Sequence, residues 1–206
     1  MDSGKQLETD TEGTRMPATP RRTRSDALQN RERLLEVAAQ AFAEQGLDTA
    51  PAAIAKQAGV GVGTLYRHFP TREVLIDAAY RRQLTQVCEK VNDLLTQHPA
   101  AEATRMWMEH FIHYATAKSG MSEALNAVIA SGIDPYSDSR ALLTDAVATL
   151  LTAGARDGSL RTDVAPDNVL LLMGGIAYSV QHGTKEQARP LVDLFMDALT
   201  KDSTAS

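Results

Sequence analysis

Thr64, Tyr66, Arg67 and His68 place four polar side chains within five residues of a 206-residue chain. The stretch that holds them, Ile54 to Phe69, also carries glycines at 59, 61 and 63. Glycines at that spacing could cradle a nucleotide phosphate, but here they follow a helical pattern instead of a strand. The third glycine is misplaced, and no lysine-threonine pair follows. Metal chemistry has one opening, His110 and His113 at i, i+3 beside Glu109. No further ligand is identifiable, and His110 shares the aromatic stripe of its helix. No Ser-His-Asp or Cys-His order stands out, and Cys88 is the only cysteine, which excludes a disulfide framework and a cysteine zinc cluster. No catalytic residue, metal or cofactor is therefore expected. A helical enzyme and a protein-binding adaptor remain as alternative classes.

The polar cluster needs elements to position it. Ile54, Ala55 and Ala58 recur at helical spacing, Ala58-Gly59-Val60 interrupts them, and a second short helix spans about Val62 to His68. Gly59 suits the left-handed conformation that a tight interhelical turn requires. Pro70 disfavours helix at Phe69 and stops the second helix near His68. A helix this short is unstable alone and must be presented by a scaffold, as in a helix-turn-helix. Charge distribution agrees with that reading. The chain carries −5 overall, yet residues 21–82 carry +3, against −2 for residues 1–20 and −6 for residues 83–206. Nucleic-acid binding depends on local Lys and Arg, not on the total.

Residues 1–20, rich in Thr, Gly, Pro and acidic groups, read as a disordered tail. Arg21, Arg22 and Arg24 form a basic cluster just before structure begins, suited to phosphates or a minor groove. A first helix is expected over Asp26 to Gln45, with Leu34, Ala38, Ala41 and Phe42 inward and Gly46 as its stop. Thr49 is placed to cap the next helix and Pro51 lies in its first turn. Thr71 caps a fourth helix to about Thr96, with Leu75, Ala79, Val87, Val91 and Leu94 inward. Beyond the break at His98-Pro99-Ala100 the pattern stays helical. A helix from about Pro166 to Gln181 is apolar nearly all round and should be buried on most sides. The last helix, about Lys185 to Lys201, shows Leu191, Leu194, Phe195, Ala198 and Leu199 on one face. The fold class is all-α, with about nine helices. A helix-turn-helix unit occupies residues 21–70, and a bundle occupies 71–206, with the helix from about 71 to 96 connecting them. No apolar run is long enough for a membrane span and the start does not read as a secretory signal, so a cytoplasmic location is expected.

Gly59-Val-Gly-Val-Gly-Thr-Leu-Tyr-Arg-His-Phe69 resembles the TetR family of transcriptional regulators, together with Ala41-Phe-Ala-Glu-Gln-Gly46, Thr49, Ile54-Ala55, Arg72, Glu73 and Leu75. The resemblance covers about residues 24–80. It implies a homodimer, a double-stranded DNA operator of near-palindromic sequence, and an unidentified small-molecule effector that releases DNA from a repressor. A transcriptional activator of the same fold is the alternative. Carried over position by position, the DNA contacts are Thr49, Val62, Gly63, Thr64, Tyr66, Arg67, His68 and Arg72. Thr49 and Arg72 belong at phosphates, as do Thr64, Tyr66 and His68. Arg67 is placed to pair with a guanine edge. Gly61 and Val62 stand where a polar pair is common in the family, and Ala52 and Ala53 replace polar residues. Base reading therefore rests on few side chains. Three glycines at 59, 61 and 63 should weaken the third helix, by roughly 1 kcal/mol for each one inside it. In the bundle, Trp107, His110, Phe111, Tyr114, Met173 and Tyr178 offer the walls of a small-molecule site, with Arg140 and Asn126 as further polar groups.

Overall fold

The computed structural model describes residues 24–183 and 185–200. The tail at 1–20 and the arginines Arg21 and Arg22 lie outside the described residues. Nine α-helices order the rest: α1 Arg24–Gln45, α2 Pro51–Gln57, α3 Val62–His68, α4 Arg72–Gln97, α5 Ala100–Gly120, α6 Ser122–Ala130, α7 Ser139–Asp157, α8 Pro166–His182 and α9 Ala188–Leu199. An isolated antiparallel bridge between Leu160 and Thr200 is the only β pairing among the described residues. The all-α expectation holds.

α1 forms where the sequence repeats apolar residues at helical spacing. Leu34, Ala38 and Phe42 are fully buried, and Gly46 at φ +56° ends the helix in the left-handed region. Thr71 caps α4 as expected, its hydroxyl accepting from the Val74 amide at 3.3 Å. α4 spans 26 residues, so it runs roughly 39 Å at 1.5 Å per residue. Leu75, Ile76, Ala79 and Tyr80 bury its first half, and Leu84, Val87, Val91 and Leu94 its second. It packs on α1 at one end and on α5, α6 and α7 further along. An ion pair between Arg82 and Glu32 ties α4 to α1.

Three positions set how the helices approach. A Cβ on Gly120, at the end of α5, would lie 2.5 Å from the Ala43 carbonyl oxygen, so α5 touches the backbone of α1 there. A Cβ on Gly154 would meet Leu160 at 2.3 Å, so the buried Leu160 side chain presses on α7. Gly158, at φ +78°, ends α7.

Two sequence expectations change in the last helices. α8 was expected to be covered on most sides, yet Leu171, Leu172 and Tyr178 are exposed at 73%, 55% and 64%. Only Val169, Met173, Ala177 and Val180 of that helix are buried. α9 buries Val192, Met196 and Leu199, while Leu194 is 69% exposed. Of the expected stripe, Leu199 is buried and Leu191 and Phe195 are half-buried against the core, while Leu194 and Ala198 turn outward. Apolar residues on two sides of one helix gave the periodicity two solutions.

Candidate nucleic-acid interface and internal cavity

α2 ends in a Schellman turn. The Val60 amide donates to the Ala55 carbonyl at 2.9 Å and the Gly59 amide to Lys56 at 3.1 Å, with Gly59 at φ +69°. Gly61 caps the start of α3, its carbonyl accepting from the Thr64 and Leu65 amides. Gly59 and Gly61 lie outside α3, so the helix penalty expected of three glycines falls on Gly63 alone. Leu65 and Phe69 are buried at 1% and 2% and anchor the helix. Arg31 of α1 covers the Phe69 ring, 5.7 Å from its centroid.

Anchoring that face turns the other outward. Val62, Gly63, Tyr66 and Arg67 are exposed, while Thr64 and His68 are half-buried at its edges. All six sequence-assigned residues of α3 therefore lie along one accessible strip or its margins. Two further assignments are corrected by the geometry. Thr49 is only 2% exposed, and its hydroxyl donates to the carbonyls of Ala41 at 3.0 Å and Gly46 at 3.1 Å. It pins the α1–α2 turn, makes no cap on α2 and has no hydroxyl hydrogen left for a phosphate. The Arg72 guanidinium bonds the carbonyl of Leu47 and, at 2.8 Å, that of Thr49, with its carbon 5.9 Å from the Phe42 ring centre. It braces the same turn from α4 in place of reaching outward. Conversely, Lys56 at the end of α2 is exposed and makes no salt bridge among the described residues, as is true of Arg67. The Lys56 position was readable as a free cation one turn before Gly59, but was passed over as part of the helix pattern.

Residues 34–79 match the family model for bacterial regulatory proteins of the tetR family, and residues 99–201 match that for the SbtR-like transcriptional regulator C-terminal domain. A TetR transcriptional regulator of Streptomyces coelicolor has the same fold at TM-score 0.81, with 46% identity over 85% of this chain and 99% of its own. The chain belongs to the TetR family. A second TetR structure, from Mycobacterium vanbaalenii, matches at TM-score 0.71 and 30% identity, covering 86% of this chain and 99% of the other. Similarity to a helix-turn-helix-type regulator of Staphylococcus aureus is 30% over 93 residues. That match spans 44% of this chain and 50% of the curated relative. Among the described residues no helix is long and apolar enough to cross a membrane.

In this TetR member an open cavity of about 470 Å³ lies between α4, α5, α7 and α8, within the range of small-molecule sites. Phe111, Tyr114 and Tyr178 line it, as the sequence assigned. Trp107 and Met173 do not: both are core, and the Trp107 indole donates to the Val87 carbonyl at 2.9 Å. His110 is exposed and faces a separate groove with His113, Glu89 and Asp93, at the edge of the Trp107–Phe111–Tyr114 face and about a fifth of a turn from its centre. No cluster of three or more His, Cys, Asp or Glu among the described residues is placed to hold a metal ion. Of the other polar groups, Arg140 reaches the cavity wall, while Asn126 is exposed on α6. Cys88 is half-buried beside Glu89 on the same helix, and burial pushes its thiol up to about 11.

Sequence reading missed the polar centre of the cavity. The Tyr114 hydroxyl donates to Tyr80 at 3.0 Å, and Tyr80 shares a further hydrogen bond of 2.9 Å with Ser139. Tyr136 meets the Tyr80 ring edge-on at 5.5 Å. The Lys118 ammonium sits over both rings, 4.4 Å from the centre of Tyr136 and 5.9 Å from that of Tyr80. Burial lowers the Lys118 pKa from the ordinary lysine range, and burial with the neighbouring tyrosine raises that of Tyr114. A signal for Tyr80 existed: it follows Ile76 by one turn on the inward face of α4, where a phenol needs a partner.

Proposed function

We propose that the protein is a TetR-type transcriptional repressor that binds a near-palindromic operator as a homodimer and is released by a small molecule. The observation carrying this reading is α3, a helix anchored through Leu65 and Phe69 that turns Val62, Tyr66 and Arg67 to solvent. Two such helices on a dimer, about 34–36 Å apart, would enter successive major grooves. Thr64, Tyr66 and His68 would hold phosphates with Lys56, Arg67 would read a guanine edge, and Val62 would meet a thymine methyl. α1 to α3 form the reading unit, divided near residue 70 from the effector and dimerisation unit.

Dimerisation would use α8 and α9, whose exposed Leu171, Leu172 and Leu194 form apolar surface with no cover in the single chain. Gly174 and Gly175 add no side chain to that helix, leaving room for a close partner. Footprinting on genomic fragments, beginning with the region upstream of the protein's own gene, tests the reading. A protected near-palindrome lost on Tyr66→Ala, with the sedimenting dimer intact, supports it. Equal retention of all fragments, or a dimer that protects none, overturns it.

A further inference from the structure

Three groups in the cavity are chemically unfinished. The first is Lys118. Its ammonium is half-buried and held by ring faces, with no salt bridge or hydrogen bond to another described residue. A ring face replaces only part of the hydration that burial removes, so the cation stays short of acceptors. The second is the hydroxyl chain. Tyr114, Tyr80 and Ser139 are three O–H groups joined by two hydrogen bonds, which leaves one hydroxyl hydrogen unspent in a buried setting. The third is charge balance. Arg140 is the other cation of the wall, no Asp or Glu lines it, and the Asp167 that pairs with Arg140 at 2.8 Å is not part of the wall. The rest of the wall is mostly apolar, with Phe111, Leu143, Leu170 and Ala177, and Gln181 adds an amide whose nitrogen donates to the Ser119 hydroxyl.

We infer that this cavity takes a small monocarboxylate with an apolar body, its anionic head on Lys118 and on the free hydroxyl hydrogen of the Tyr114–Tyr80–Ser139 chain. The carboxylate supplies acceptors to both unfinished donors and a counter-charge to a cation that has none. The hydrocarbon or aromatic part lies against Phe111, Leu143 and Leu170. A cationic ligand is disfavoured, because the aromatic faces that would hold it already carry the chain's own ammonium. This assignment rests on the cavity being the effector site proposed above, and it names the chemistry of that effector.

Calorimetry on the full-length protein without DNA tests the inference with three probes of one shape: hydrocinnamate, its neutral amide hydrocinnamide, and the amine phenylpropylamine. The acid should bind about tenfold or more tighter than the amide, the increment of a charge-assisted hydrogen bond, and the amine should bind weakest. Lys118→Met should remove that advantage and leave amide affinity within about twofold, and Ser139→Ala should weaken the acid selectively. The wild-type acid-to-amide ratio stands without any variant, so misfolding of Lys118→Met leaves the test intact. Acid and amide binding equally, an amine that binds tightest, an acid affinity indifferent to a folded Lys118→Met, or no acid binding at millimolar concentration overturns the assignment. Operator retention measured on the same preparation separates the failures. A protein that retains DNA but ignores the acid sinks only the ligand class, whereas one that binds the acid and no DNA sinks the repressor reading.

Discussion

The reading helix and the cavity hold cations in opposite ways. Arg67 and Lys56 are exposed and make no salt bridge among the described residues, while Lys118 is packed against tyrosine rings and Arg72 is turned onto backbone carbonyls. Exposed, unpaired cations stay hydrated and ready for a polyanion, releasing counterions when they meet one. Enclosed cations have given up part of their hydration and must be satisfied locally, by structure in the case of Arg72 and by a guest in the case of Lys118. In the function proposed above, one chain uses the same charge as bait outside and as brace or socket inside. Residue type alone does not separate these roles. Burial and the acceptors within reach do.

Adjacent residues offer the strongest way to break that division. Leu65→Ala should cost about 2–5 kcal/mol of stability in denaturant unfolding, since Leu65 is 1% exposed. Tyr66→Ala, one position on, should change stability by no more than about 0.5 kcal/mol and still abolish operator protection. Similar stability losses at both positions would mean that α3 is buried on both faces. Next in size, Arg67→Ala should cost about 1–3 kcal/mol of operator affinity and relax the sequence preference at one base pair. Lys56→Ala should weaken binding to all DNA alike and reduce the salt slope by about 1. A Lys56 variant that changed base preference would move that residue from phosphate to base reading.

The inner groups predict smaller effects. Thr49→Ala, which loses the hydroxyl held by Ala41 and Gly46, should cost about 1 kcal/mol of stability and leave the salt slope of DNA binding unchanged. A lower slope would return Thr49 to the phosphates. For Lys118 the folded-state pKa is lowered, so the unfolded chain binds more protons just below the ordinary lysine range. Wild-type stability should therefore rise with pH relative to Lys118→Met in that alkaline window, measured by unfolding at two pH values. A flat difference would place the ammonium in water.

Much of this was legible in the sequence because helical repetition records burial. Leu34, Ala38 and Phe42 in α1 and the five inward positions expected of α4 are all in the core. The α3 strip was legible for another reason: Leu65 and Phe69 at i, i+4 fix which side faces in. Thr49 misled because a threonine before a proline-started helix has the sequence of a cap, and only the fold shows its hydroxyl aimed back at α1. α9 misled at Leu194, which is as apolar as Val192 and Met196, so nothing local chose the core face. The cavity centre was illegible for a third reason. Tyr80, Lys118 and Ser139 come from three helices and Tyr136 from a loop, and no spacing along the chain encodes their meeting.

Gly120 carries a consequence beyond this molecule. Because α5 rests on the Ala43 carbonyl with no room for a methyl group, one of the contacts that seat α1 on the bundle is a bare backbone crossing. Recombining the N-terminal part of one relative with the C-terminal part of another would succeed where both parents keep that bare crossing. A parent that brings a side chain to either helix would force α1 aside and carry the reading helices out of step with the grooves. One added carbon at this crossing would limit how freely the two parts of this chain could be exchanged.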